Sequence, residues 1–252
     1  MLPYTPGHIK TYYNKFTQKY LDIYGDVIQA FRPKHTRDLL HYIATSSGLK
    51  RNRKIVDAGC GVCGPAIYFA GQYHSLVDAI TISDIQQSEA VKKIKQAGLE
   101  KSISVLCGDY HALSTYYKQS EYDAVYFLES LGHSNQPEIA IREAWNVLKP
   151  GGFIYIKDFY KKEVDDPRLQ AKIDRVIYNI DSNYSYNTLN LIDVIRVLRA
   201  CNLEIEFVKR FGFNDDTSIR AAFEKEMKID IFEGEPEFFP AEWLEIKCIK
   251  PL

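Results

Sequence analysis

Residues 57–65 restrict this chain more than any other stretch. They read Asp57-Ala58-Gly59-Cys60-Gly61-Val62-Cys63-Gly64-Pro65, after the apolar run Lys54-Ile55-Val56 and before a helical pattern. Gly59, Gly61 and Gly64 satisfy G-x-G-x-x-G between a strand and a helix, a spacing that lets a bound group approach the main chain closely. One occupant of such loops is a dinucleotide, whose pyrophosphate is cradled by backbone N–H groups and a helix N-terminus. Asp57, two positions before the first glycine, would repel a pyrophosphate. An amino-acid zwitterion reverses the argument, because its ammonium wants a carboxylate and its carboxylate wants backbone N–H groups. The loop therefore points to S-adenosylmethionine, which carries such an end and no phosphate.

The surrounding pattern sets the fold. Short apolar runs at 54–58, 77–82, 103–106, 124–128 and 153–157 alternate with helical patterns at 65–73, 84–97 and 137–148. Alternation of this kind predicts an α/β fold with a doubly wound, mainly parallel sheet, whose ligands sit at the carboxyl ends of the strands. Ile9, Tyr12, Phe16, Tyr20, Ile23, Val27 and Phe31 recur at helical spacing up to Pro33, and a second helix carrying Leu39, Leu40 and Ile43 closes at Gly48. Helical patterns through Leu169, Ile173, Val176 and Ile180 and through Leu191, Val194, Ile195 and Leu198 precede strands expected at 203–209 and 243–249. The tail at 211–240 is aromatic and acidic. No linker separates a second domain, so one domain is expected: 1–50 a helical cap, 51–160 the cofactor-binding core, 161–252 the substrate-side helices and last strands.

Three further segments fall in order along this core. Gly108-Asp109-Tyr110 follows the third strand, where a carboxylate can accept a hydrogen bond from an adenine amino group; Tyr122-Asp123-Ala124-Val125-Tyr126 opens the fourth, and Leu148-Lys149-Pro150-Gly151-Gly152-Phe153 turns helix into strand. In this order and spacing, over 53–160, the chain resembles the class I methyltransferase family. The resemblance implies a seven-stranded Rossmann-like sheet, with Asp57, Gly59, Gly61 and Asp109 as cofactor contacts and Cys60 and Tyr110 adjoining them. At the second strand, Thr81-Ile82-Ser83-Asp84-Ile85-Gln86 replaces the acid that many members use for the ribose. This T-x-S-x-x-Q form resembles the branch of cyclopropane-fatty-acid synthases and terpenoid C-methyltransferases, which implies that Thr81 and Gln86 take the ribose; Asp84 could do so instead, or cap the next helix. Cys63 departs from the glycine common in relatives.

The chemistry is expected after the fourth strand, in Glu129-Ser130-Leu131-Gly132-His133. A carboxylate straight after an apolar run is costly to bury without a role, the alternative being a lysine partner or a turn cap. The segment resembles the E-x-x-x-H stretch of sterol and tocopherol C-methyltransferases. Geranyl diphosphate C-methyltransferases share the glycine loop, the T-x-S-x-x-Q piece and a Glu-Ser here. The resemblance implies Glu129 alone as base; His133 is a second catalytic candidate by its residue type, the alternative being an exposed loop histidine. Tyr12, Tyr13, Tyr126, Tyr160, Tyr178, Tyr184, Tyr186 and Phe213 are candidate pocket residues. The expected reaction is C-methylation of an alkene in an isoprenoid or lipid-like small molecule. An N-methyltransferase of a small amine is the alternative, because carboxylate and tyrosines would also suit an ammonium; a non-catalytic cofactor-binding protein is the third reading.

Composition excludes other classes. The net charge of -1 over 252 residues gives no basic surface for nucleic acid, and no N/D/S-P-P-Y/F/W motif occurs. No signal peptide or membrane span is expected, which makes the protein cytosolic. Cys60 and Cys63 form a C-x-x-C without the second ligand pair that zinc needs, and the basic group Arg32, Lys34 and Arg37 reads as solvated surface, so no metal is expected. The 18 tyrosines and 13 phenylalanines are the unusual part, and they suit a pocket around an apolar or cationic guest.

Overall fold

The computed structural model describes residues 3–252. Seven strands form one sheet: β1 Lys54–Ala58, β2 Leu76–Thr81, β3 Ile103–Cys107, β4 Tyr122–Leu128, β5 Leu148–Lys161, β6 Glu204–Arg210 and β7 Ala241–Ile249. Their order is β3-β2-β1-β4-β5-β7-β6, with β7 antiparallel to both neighbours and the other pairs parallel. The helices are α1 Pro6–Tyr24, α2 Thr36–Ser47, α3 Gly64–Tyr73, α4 Asp84–Gln96, α5 Leu113–Tyr116, α6 Pro137–Val147, α7 Pro167–Tyr184, α8 Leu191–Ala200 and α9 Ser218–Met227. None of them is long and apolar enough to cross a membrane among the described residues.

Central strands must be apolar on both faces when helices cover both. Val56, Val125 and Ile154 pack with Ala140 and Ala144 of α6 and with Val194 and Leu198 of α8. Ile55, Ala124 and Tyr155 pack on the other face with Leu39 and Ile43 of α2 and Phe69 of α3. The chain crosses at β1/β4, so the loops after those strands diverge and leave a crevice.

The N-terminal stripe is not one helix. α1 stops at Tyr24 because Gly25 takes φ 69°, and residues 26–35 run as an irregular strap. Ala30 and Phe31 donate their N–H groups to the Glu129 carboxylate rather than to a preceding turn, which satisfies the backbone without helix. The strap crosses the glycine loop so closely that a Cβ on Gly64 would lie 2.1 Å from the Asp26 carbonyl oxygen. α9 was hidden in the aromatic, acidic tail; Phe223, its one buried residue, stacks on Tyr20 of α1 at 4.3 Å.

Five expected pocket positions need correction. Tyr126 is fully buried under α2 and α3, its hydroxyl 2.9 Å from Ser47 Oγ. Tyr160 faces the α8 side of the sheet, because β5 alternates and its neighbour Phe159 takes the pocket face. Tyr178 is 56% exposed, since α7 turns Val176, Ile177 and Ile180 inward instead. Tyr12 stands behind the pocket and pairs its hydroxyl with that of Tyr20 at 2.8 Å. Phe213 likewise packs on Phe31 and Tyr42, away from the crevice.

Candidate active site

Two chambers open side by side at the carboxyl ends of the strands. With the solvent at their mouths included, the first spans about 830 Å³ and the second about 860 Å³. Tyr13, Ile28, Glu129 and His133 line both and form the seam between them.

The first chamber gathers every residue expected to meet the cofactor: Asp57, Gly59, Cys60, Gly61, Thr81, Gln86, Asp109 and Tyr110. Asp57 is the penultimate residue of the buried β1, and its Oδ2 has no hydrogen-bond partner; burial pushes its carboxyl up to about 7. Gly59 has φ 89°, and a Cβ there would lie 2.4 Å from Ser130 Cβ, so the loop remains bare backbone toward the chamber. Thr81 Oγ1 donates to Gln86 Oε1 at 2.7 Å. Asp84 does not line the chamber; it pairs with Lys10 at 3.0 Å, and Ser83 caps α4 instead. Asp109 accepts from the His111 backbone and ring on Oδ1, at 2.9 and 2.6 Å.

These residues fit S-adenosylmethionine. An unpartnered carboxylate oxygen at Asp57 suits an ammonium, the bare loop backbone suits a carboxylate, and the Thr81–Gln86 pair and Asp109 provide polar atoms for ribose and adenine. The strap adds a residue that the sequence reading missed. Gln29 is 2% exposed, lines this chamber, and leaves both amide atoms without partners. A buried unsatisfied amide is costly, and this one is placed to complete the grip on a zwitterion. The only signal for it was its position in the stretch after Gly25.

The second chamber is mostly aromatic: Tyr20 and Tyr24 from α1, Phe159 from β5, Tyr184 and Tyr186 from around the end of α7, and Trp243 from β7. Tyr186 is held by donating its hydroxyl to Asp158 and by stacking on Phe159 at 4.8 Å. Asp158 also accepts from the Gly132 and Phe159 N–H groups, and burial moves its carboxyl up to about 7.

At the seam, Glu129 takes φ 55°, a left-handed conformation that is uncommon outside glycine and frequent at functional positions. Its carboxylate pairs with Lys157, whose side chain is fully buried, and accepts from Ala30 N at 2.5 Å and Phe31 N at 3.3 Å. The Lys157 ammonium also donates to Phe31 O at 2.7 Å and lies 5.4 Å from the Trp243 ring centre. Burial pushes the Glu129 carboxyl up and the Lys157 ammonium down, while their attraction opposes both. The sequence allows a lysine partner for Glu129, and the fold supplies it as Lys157 on the β5 strand.

His133 has one tautomer that satisfies both ring nitrogens. Nδ1 donates to Ser185 O at 3.1 Å, which leaves Nε2 to accept the Tyr13 hydroxyl proton at 2.7 Å. Burial lowers its pKa to about 4, so the ring is neutral at pH 7. Cys60 and Cys63 are free thiols, and no group of three or more His, Cys, Asp or Glu side chains among the described residues is arranged for a metal ion.

A methyltransferase-domain family model matches residues 56–156. Sterol 24-C-methyltransferase of Saccharomyces cerevisiae is 27% identical over 177 residues, which is 70% of this chain and 45% of that protein. The chain thus spans less than half the length of that relative. Among solved structures, the [4+2]-cyclase SpnF superposes with TM-score 0.81 at 19% identity, covering all of this chain and 98% of that one. Geranyl diphosphate C-methyltransferase from Streptomyces coelicolor superposes with TM-score 0.76 at 15% identity, covering 98% of each. The structural likenesses establish the shared fold, while the domain match falls on the strands and loops that build the first chamber. On these grounds residues 56–156, the stretch that builds the first chamber, carry a methyltransferase domain.

Proposed function

We propose that this protein transfers a methyl group from S-adenosylmethionine to an alkene carbon of an isoprenoid-like small molecule. The observation that carries the proposal is the mostly aromatic chamber meeting the cofactor chamber at Glu129. When bound, the cofactor supplies an electrophilic methyl group on a neutral leaving group, so positioning provides much of the acceleration. Tyr13, Ile28, Glu129 and His133 form the surface across which donor and acceptor would meet. An alkene that gains a methyl becomes cationic. Aromatic faces and the Glu129 carboxylate stabilise positive charge there. Glu129 is the proposed acceptor of the proton that the cation then loses. Lys157 and the Ala30 and Phe31 N–H groups hold that carboxylate in place, and each would have to accommodate a protonated Glu129. The yeast relative is named for methylating a sterol carbon, which supports a carbon acceptor. The five cysteines, all free thiols, support a cytosolic setting.

The test is turnover of isoprenoid alkenes by Glu129→Gln, with S-adenosylhomocysteine affinity measured alongside to control for folding. Normal turnover in a variant that binds the cofactor product normally would reject Glu129 as the base.

A second reading is supported by the Tyr13–His133 pair. A neutral imidazole accepting from a tyrosine hydroxyl at the seam can take a proton from an amine through that hydroxyl. Locating a labelled methyl on carbon or nitrogen by mass spectrometry separates the two. The third reading, cofactor binding without methyl transfer, gains interest from SpnF, which is named a cyclase on this fold; it predicts bound cofactor and no labelled product.

A further inference from the structure

The second chamber holds a guanidinium whose hydrogen bonding is unfinished. Arg220 of α9 lines this chamber and not the first. Its closest carboxylates, Asp215 Oδ2 and Glu224 Oε1, are each 3.9 Å away, beyond hydrogen-bond distance. Its side chain is 12% exposed, and its guanidinium carbon lies 5.4 Å from the Phe232 ring centre and 5.7 Å from that of Phe239. An arginine has five donors in a planar fork. This one lies beside two rings with its donors unspent, in a chamber otherwise lined largely by apolar and aromatic surface.

We propose that Arg220 anchors the uncharged polar end of the substrate, a hydroxyl or carbonyl oxygen, while the apolar body fills the chamber and reaches Glu129. This deepens the isoprenoid reading of the same site and rests on it.

The charge balance selects an uncharged oxygen over a diphosphate. Arg220 is flanked by Asp215 and Glu224, and Glu129 farther along the wall is already matched by Lys157. One cation between two carboxylates is a locally negative group, and in a chamber of low dielectric a multiply charged anion meets a strong penalty. A neutral oxygen accepts from the guanidinium without disturbing either carboxylate. Tyr184 donates to Glu224 Oε1 at 3.3 Å, the carboxylate oxygen nearest Arg220. The groups around Arg220 include Asp215, Glu224, Tyr24, Tyr184 and the two phenylalanine rings. None of these supplies a second cation for a phosphate.

The test uses the 252-residue protein saturated with S-adenosylhomocysteine and three probes that share one hydrocarbon body: farnesol, farnesyl diphosphate and farnesene. Wild type is expected to bind farnesol about tenfold more tightly than farnesene, and the diphosphate more weakly than the alcohol. Arg220→Leu should erase the farnesol–farnesene difference and leave S-adenosylhomocysteine affinity unchanged, which also reports that the variant is folded. Arg220→Lys should retain part of the difference. Tighter binding of the diphosphate than of the alcohol overturns the inference, and so does an unchanged farnesol–farnesene difference in Arg220→Leu. If no probe binds wild type, the isoprenoid reading fails and takes the inference with it. Binding of the probes without any dependence on Arg220 leaves that reading intact and removes only the anchor.

Discussion

The two chambers share the Glu129 seam but are built in opposite ways. The first draws most of its lining from three strand ends and the loops that follow them, so its residues come in short consecutive groups: 57–62, 81–86 and 108–111. The second takes single side chains from α1, β5, the α7 region, α9 and β7, and most of them are aromatic. A site made of loops is specified locally by turn chemistry and can be read as a motif. A site made of helix faces is specified by how the helices pack, and its residues share no spacing. The first chamber is thus fixed by backbone and the second by side-chain packing.

That contrast predicts graded responses to substitution. The largest effect belongs to the seam. Lys157→Met leaves a buried carboxylate unpaired and should cost about 3–5 kcal/mol in urea unfolding, whereas Lys157→Met with Glu129→Leu should recover most of it. If the double variant is as unstable as the single one, the pair is not the source of the loss. Next is the first chamber, where backbone sets the shape. Gly64→Ala drives a Cβ into the Asp26 carbonyl and should lower stability by about 1–3 kcal/mol, with weaker S-adenosylhomocysteine binding because the strap carrying Gln29 moves.

Asp57 gives a pH signature. Its folded-state carboxyl is raised from 3.8 to about 7 by burial. Ionising it therefore lowers the stability of the free protein as pH rises through that interval. Cofactor binding has the opposite sign, because an ammonium requires the ionised form. S-adenosylhomocysteine affinity should increase from pH 6 to about pH 8, and calorimetry should detect proton release on binding. Asp57→Asn should weaken binding about tenfold or more and flatten this profile; a profile that persists in the variant would assign the titration elsewhere. His133, lowered to about 4, predicts no further change in rate near pH 6.5.

The smallest effect tests the face assignment in the second chamber. Tyr178 is exposed, so Tyr178→Ser should change stability by less than about 0.5 kcal/mol and leave turnover unaltered. Tyr186→Phe, which removes a donor from the buried Asp158 carboxylate, should reduce both. Equal behaviour of the two tyrosines would break the proposed division between pocket and surface.

The failures of the sequence reading follow from the same division. Tyr160 and Phe159 are adjacent, and composition cannot say which one faces the chamber; pairing of β5 with β4 and β7 decides it. Tyr12 and Tyr13 are adjacent on α1, and helix rotation against α9 puts one behind the pocket and the other on the seam. The helix pattern extended through Val27 and Phe31 because both are apolar. Their backbone instead belongs to a strap whose N–H groups find the Glu129 carboxylate 98 and 99 residues away.

The sequence by itself determined the alternating sheet and the donor loop from Asp57 to Pro65. Both depend on periodicity and on short-range steric rules that are fully expressed within a few residues. Tertiary structure alone decided that Lys157 meets Glu129, that Gln29 closes over the loop, and that Arg220 comes to an aromatic chamber with its donors unspent. Each of these joins residues far apart in the chain, and each is set by which faces are buried when the helices dock. Burial is also what gives these polar groups their chemical weight, because a charge or an amide removed from water must find a partner in the fold or in the molecule it binds.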